Sequence, residues 1–186
     1  MFTDEQFDVI EYCAEEVKRQ GDTPNHVFYM LNAWDYAHKW ENEIAPPEYQ
    51  GIDLEFIEDI GKLVDPIDNA MGFRTIPIGI SDGVNWIEKS PAERVMPQLE
   101  NLIDSYYMGG LDPTKIQKLY KGNEQWGKYK YYKKAKTPED IFYFEFEEIH
   151  PFVDGNGRTG KILYNYLSGT LSAPIWPPNF WGVSNP

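Results

Sequence analysis

"HPFVDGNGRTGKI", residues 150–162, supports two incompatible readings. From Gly155 the letters run G-N-G-R-T-G-K, the spacing of a nucleotide-binding P-loop up to its lysine. From His150 they set a histidine, a carboxylate, an asparagine and an arginine around two glycines. A P-loop follows a strand and carries Ser or Thr after the lysine, whose hydroxyl ligates magnesium. Here position 162 is Ile, and the preceding segment reads as a helix broken at Pro151. Nor does an alternating β/α pattern follow to build a parallel sheet. The second reading gives nearly every letter a purpose. Pro151 disfavours helical geometry at His150, which places the histidine where a helix ends and a loop begins. Gly155 and Gly157 let the backbone turn tightly enough for N–H groups to point at an anion. A helix starting at about Thr159 aims its positive end at the same place. The result is an anion hole with a general base, His150, on one rim and the carboxylate of Asp154 on the other. A carboxylate beside bound phosphates is a natural ligand for magnesium.

Outward from this loop the pattern is helical. Residues 4–20 carry an apolar stripe of Ile10, Cys13 and Val17 and stop at Gly21. A second helix is expected over 25–43, ended by Pro46 and Pro47, and a third from about Asp53 to Leu63, before Pro66. "FRTIPIGISDGVNWIEK" then alternates around an Asp-Gly turn, which predicts a hairpin. Ser90, Pro91 and Glu93 form a helix-start signal for a helix to about Tyr107. Thr137, Pro138 and Asp140 repeat it before "IFYFEFEEI". That segment alternates like a strand, but Phe142, Phe146 and Ile149 also make a helical stripe, and the capping signal favours helix. A last helix is expected from about Thr159 to Leu171, followed by the irregular "PIWPPNFWG". The sum is mainly α with one hairpin.

A chain of 186 residues, 41% apolar and 16% aromatic, suits one globular domain with a real core. No run of about 18 apolar residues predicts a membrane span, and the acidic start "MFTDEQFDVIEYC" lacks the regions of a signal peptide. The lone Cys13 forms no internal disulfide and reads as a small core residue, which points to a cytoplasmic setting. His26 and His38 have no partner at metal-ligand spacing and read as structural or exposed. A net charge of −13 opposes non-specific attraction to nucleic acid or anionic membranes. Yet eight of the seventeen Lys and Arg lie between Lys115 and Lys136, interleaved with tyrosines. That stretch reads either as a solvated insertion or as a surface for RNA, an acidic partner or a phosphorylated one.

"HPFVDGNGR" resembles the signature of Fic-domain proteins, H-x-F-x-[D/E]-G-N-G-R followed two residues later by a second Arg. Upstream, "GFRTIPIGISDGVNWIEKSPAERVMPQLENLID" is similar to that family's Gly-x-Arg segment, flap hairpin and following helix. The resemblance covers roughly residues 50–175, with 112–136 as an insertion and the helices of 1–50 in front, all in one domain over 1–186. It implies a Fic-type helical bundle with a β-hairpin flap. It also implies a protein AMP transferase, which moves AMP from ATP to a Ser, Thr or Tyr hydroxyl of a target protein. On that likeness His150 deprotonates the target hydroxyl, Asp154 holds magnesium and Asn156 fixes the α-phosphate. The amides of Gly155 and Gly157 line the anion hole, Arg158 grips the leaving phosphates, and Phe152 anchors the loop. Val84, Asn85, Trp86 and Ile87 belong to the flap that docks the target; Trp86 fits either the cleft or cross-strand packing.

One position departs from the signature. The second Arg is Lys161, a point charge without the two-pronged guanidinium, which leaves the donor open to other phosphate-bearing groups: another nucleotide, phosphate or phosphocholine. Many relatives carry an inhibitory helix, [S/T]-x-x-x-E-[G/N], whose Glu pairs with that Arg. The nearest match is "AHKWEN", with Glu41 either in that role or an ordinary solvated residue. A non-catalytic binding module using the Lys/Tyr stretch is the remaining alternative, and the intact His150, Asp154, Asn156 and Arg158 argue against it.

Overall fold

A computed structural model describes residues 4–40, 51–81, 86–121 and 128–180. Eight helices, two short strands and a 3₁₀ turn are described. They run in the order α1 (Asp4–Gln20), α2 (Asn25–Lys39), α3 (Leu54–Val64), β1 (Gly79–Ser81) and β2 (Trp86–Glu88). The 3₁₀ turn (Ala92–Arg94) follows, then α4 (Val95–Tyr107), α5 (Pro113–Tyr120), α6 (Tyr129–Tyr132), α7 (Pro138–Ile149) and α8 (Asn156–Leu167). The mainly α architecture, with one hairpin among the described residues, is as expected. The hairpin is antiparallel, with Ile80 opposite Ile87 and Ser81 opposite Trp86.

Helix α7 explains its own ambiguous sequence. Phe142, Phe144 and Phe146 are all fully buried, because α4 packs on one flank and α8 on the other. A helix covered nearly all round loses the one-sided stripe and can imitate a strand. What makes it a helix is the cap. Thr137 accepts from the Asp140 amide at 3.2 Å, and Asp140 accepts in return from the Thr137 amide at 3.1 Å. The second core centre is Phe56 of α3, ringed by Trp40, Tyr36 and Tyr166. Asp53 caps α3, accepting from Phe56 N at 2.7 Å. Burial of each such aromatic contributes on the order of 2–3 kcal/mol.

Three boundaries differ from the sequence reading. Ser90 and Glu93 form no side-chain cap; a 3₁₀ turn opens the segment instead and α4 starts at Val95. The carbonyl of Ser90 is taken by Arg74 Nη2, which fixes the approach to α4. Helix α8 begins at Asn156, three residues early, and ends at Leu167. The described residues of the stretch 112–136 are not simply solvated. Gln117 Nε2 bonds the carbonyls of Tyr132 and Ala135, both buried, and Tyr132 and Lys128 reach Glu145 of α7. No described helix is long and apolar enough to cross a membrane. Cys13 is fully buried, and its thiol is pushed up to about 12 by burial and then by Glu16.

Candidate active site

The loop after α7 is held in shape from several sides. His150 closes α7 in the left-handed region (φ 55), a conformation that costs a non-glycine residue about 1 kcal/mol. Arg74, 3% exposed, over-determines that geometry. Its Nε donates to the His150 carbonyl at 2.7 Å, Nη2 to those of Ile149 (3.2 Å) and Ser90, and Nη1 to that of Ile76 (3.0 Å). One guanidinium therefore ties both ends of the hairpin to the end of α7, where a cation also suits the helix dipole. Asn69, fully buried, joins Gly61 O to both backbone groups of Asp154. The side chain of Asn156 closes the loop on itself, accepting from Phe152 N and donating to Phe152 O, each at 2.9 Å. Phe152 is fully buried against Phe73, the anchor expected of it.

Gly155 (φ 70) turns the chain into α8, and a side chain there is excluded: a Cβ would sit 2.7 Å from Val64. As the N-cap, Gly155 has no side chain with which to bond the first-turn N–H groups of α8, which suits them to an anion. Arg158 is 1% exposed and lies behind the loop, not across it. Its Nε is 3.2 Å from Asp22, and Nη2 is 3.4 Å from Asp65 and 3.6 Å from Asp154. The carboxylates of Asp154, Asp65 and Asp68 offer oxygens within 4.8 Å of one another.

On the other side of His150 lies a pocket of about 360 Å³, bordered by Gly157 and Lys161 of α8, Glu147 of α7, Glu16 of α1 and Lys89 after β2. Lys161, 7% exposed, donates to Glu16 Oε1 at 2.7 Å, and Glu16 is 1% exposed. Gln20 bonds the same oxygen, while Oε2 of Glu16 is buried without a hydrogen bond, with Arg19 Nη1 as its ion-pair partner at 4.0 Å. Lys89 reaches Glu148 at 3.3 Å. His150 Nδ1 faces the Glu147 carbonyl at 3.2 Å, so that nitrogen carries the hydrogen and Nε2 is the basic one. The imidazole pKa is lowered to about 4, by burial first and then by Lys89, with Arg74 adding to it. Glu147 is raised to about 7 by burial, against the pull of Lys161 and Lys89.

The structure thus brings His150, Gly157 and Lys161 to one pocket, with Gly155 at the turn beside it. Asp154 lies at the loop's outer rim, and Asn156 and Arg158 stand behind the loop as its frame. Ile87 is exposed in β2; Val84, Asn85 and Glu41 lie outside the described residues, as does the side chain of Trp86. His26 reaches Asp65 at 3.7 Å and His38 is exposed. Sequence reasoning missed Glu16, Lys89, Asn69 and Glu147. For Glu16 a signal existed: position 16 lies one turn from Tyr12 and Cys13 and beside Val17, all buried, which puts a charge on the apolar face.

The fold is similar to several solved structures at low identity. A Fic family protein from Desulfovibrio desulfuricans G20 superposes with a TM-score of 0.54 at 18% identity, over 90% of this chain and 50% of that one. A Fic domain containing signaling protein from Bacteroides thetaiotaomicron VPI-5482 gives 0.51 at 16%, over 84% and 54%. Fic-1 from C. elegans gives 0.50 at 21%, over 86% and 43%. The chain spans about half the length of these structures, and the likeness is one of fold. A 77-residue stretch, 41% of this chain, is 35% identical to part of the ribonucleoside-diphosphate reductase small chain of Ostreid herpesvirus 1 (isolate France). It covers 11% of that protein, too little to bring that protein's activity to this one. The Fic/DOC family model matches residues 52–168, from the start of α3 to the end of α8. That span holds the hairpin, the arginine clasp and the whole of the loop from His150 to Lys161, and the chain belongs to the Fic/DOC family, which at family level supports a Fic-type transferase.

Proposed function

We propose that the chain is a protein AMP transferase, moving AMP from ATP to a hydroxyl of a target protein. The observation that carries this reading is the shared pocket: Nε2 is the basic nitrogen of His150, and the uncapped start of α8 and Lys161 lie beside it. In the reaction Nε2 takes the proton of the accepting hydroxyl as its oxygen attacks the α-phosphorus, and the bond to the leaving pyrophosphate breaks. The first-turn amides of α8 receive the α-phosphate charge, and Lys161 meets the far end of the triphosphate. Most of the rate enhancement is then positioning and charge neutralisation. Asp154, with Asp65 and Asp68 beside it, offers the hard oxygen donors that suit magnesium, and an ion there would neutralise charge on the phosphates. Chelation with EDTA should stop transfer, and Asp154→Ala should raise the magnesium requirement. The exposed Ile87 on the two-stranded hairpin suits docking of an extended target segment. Ile87→Asp should therefore raise KM for the target more than KM for ATP.

Glu16 adds a control to this reading. Its carboxylate occupies Lys161, so a triphosphate and Glu16 compete for one ammonium, the kind of control the sequence raised for Glu41, which lies outside the described residues. Incubation with α-labelled and with γ-labelled ATP separates the alternatives. AMP transfer puts α-label and no γ-label on protein. Label from γ alone would mean phosphate transfer, and no label from either would remove the nucleotide reading.

A further inference from the structure

Glu147 lies one turn before His150 on α7, and nothing in the reaction above uses it. Its Oε2 is 3.9 Å from His150 Nδ1. Its Oε1 is buried without a hydrogen-bond partner. That oxygen lodges where α8 passes closest: a Cβ on Gly160 would lie 3.0 Å from it, so only glycine leaves the space untouched. The residue is 9% exposed and borders the same pocket as the base. Buried carboxylates are normally hydrogen-bonded, so a half-satisfied one beside a base invites a functional explanation.

The surrounding charges are mixed. Glu147 feels Lys161 from α8, Lys89 from the end of the hairpin, Glu16 from α1, and Glu148 and Tyr143 on its own helix. His150 feels Lys89, Arg74 and Asp154. Burial dominates for both groups and acts in opposite directions, because it favours the neutral form of each. The carboxylate is raised to about 7 and the imidazole lowered to about 4. This reverses the order found in free side chains: here the carboxylate holds a proton more tightly than the imidazole.

We propose that Glu147 is a positioning residue that acts through His150, receiving at its carboxylate the proton displaced when the imidazole accepts one from the target hydroxyl. This rests on the reading of His150 as the base. The hydroxyl O–H bond breaks and its proton goes to Nε2. The Nδ1–H bond breaks and that proton passes to Oε2 of Glu147. The imidazole ends neutral in its other tautomer, the carboxylate ends as a carboxylic acid, and the hydroxyl's electron pair forms the new bond to phosphorus. In Ser-His-Asp triads the carboxylate stays ionised because its affinity is the lower of the two. The inverted order around α7 removes that obstacle. The Nδ1 hydrogen that faces the Glu147 carbonyl at 3.2 Å must turn to Oε2 of the same residue, and a shift of about 1 Å in the Glu147 side chain brings 3.9 Å to hydrogen-bonding distance.

The test has two arms. In protein labelled with ¹⁵N at its histidines, the His150 ring signals (assigned by their loss in His150→Ala) are followed from pH 5.5 to 8.5. An inflection near pH 7 is expected in the wild type and absent in Glu147→Gln, while Glu147→Asp retains a displaced one. The kinetic arm measures kcat and KM against pH. Wild-type kcat should fall about tenfold for each unit below pH 7. Glu147→Gln should lower kcat at pH 8 by at least tenfold and lose that limb, with KM for ATP changed less than threefold. A Gln variant with wild-type kcat and the same acid limb would overturn the proposal, as would a His150 titration indifferent to residue 147. If no α-label is transferred by any variant, the transfer reading fails, and the first arm alone decides whether the pair is coupled.

Discussion

The two sides of His150 are built to opposite rules. Behind the loop, the three polar side chains that shape it are answered: Arg74 serves four carbonyls, Asn69 clamps Asp154, and Asn156 closes on Phe152. In the pocket, buried carboxylate oxygens of Glu16 and Glu147 are left without hydrogen bonds, and two lysines stand among them. A buried polar atom without a hydrogen bond costs roughly 1–3 kcal/mol, less at Glu16, where Arg19 stands 4.0 Å away, so the pocket is the less stable side and its frame the more stable one. Strain of that kind persists only where the surroundings fix it, and the frame supplies the fixing. The difference teaches where to mutate for stability and where for activity.

The comparison breaks most sharply at Arg74. Arg74→Ala leaves carbonyls at the end of α7 and at both ends of the hairpin unanswered, and should cost on the order of 4 kcal/mol in urea denaturation, with transfer lost. Next comes Glu147, where removing charge should stabilise. An acid whose proton affinity rises on folding loses stability as pH climbs from its unfolded value to its folded one. For Glu147 that window runs from the ordinary carboxylate range to about 7. Over it the wild type gives up about 3 kcal/mol that the neutral Gln keeps. Glu147→Gln should therefore melt higher than wild type at pH 8 and almost level with it at pH 4. An equal gain at both pH values would mean that packing and not charge is responsible. Asn69→Ala, on the frame side, should cost about 2 kcal/mol and loosen the loop, read as a higher KM for ATP.

Glu16 sharpens the comparison from the pocket side. Glu16→Ala frees Lys161 and should raise the basal transfer rate about tenfold, equivalent to about 1.4 kcal/mol. The single ammonium of Lys161 holds Glu16 less specifically than a two-pronged arginine, which keeps the expected gain moderate. Lys161→Arg should lower the basal rate in the wild type and raise it in Glu16→Ala. An unchanged rate in both would remove Glu16 from control.

The framework was far more legible in the sequence than the pocket. His150 at a helix end, the turn at Gly155 and the cap at Thr137 are local signals, each set by neighbours within four residues, and each appears where expected. The early start of α8 was hidden because Asn156 and Gly157 are poor helix formers, and tertiary contacts override their propensity. Glu16 and Lys161 are 145 residues apart. Nothing local to "CAEEVKR" says which of its two glutamates turns inward, except the unbroken helical face. Asn69 and Lys89 act through loops whose path depends on the completed fold. Glu147 was invisible for a different reason: among the three Phe and three Glu of "IFYFEFEEI" no letter separates a buried carboxylate from one on a solvent-facing face. Helix α7, covered on both flanks, has almost no such face.

The most direct measurement is the rate of α-label transfer from ATP to protein in Glu16→Ala, with and without His150→Ala, at pH 8. With Lys161 released, the single variant should transfer α-label and no γ-label. Adding His150→Ala should lower the rate by at least a thousandfold, the scale of a lost general base, while the melting temperature stays within a few degrees. Equal transfer by the two folded proteins would contradict the assignment of His150 as the base and, with it, the chemistry proposed for the pocket.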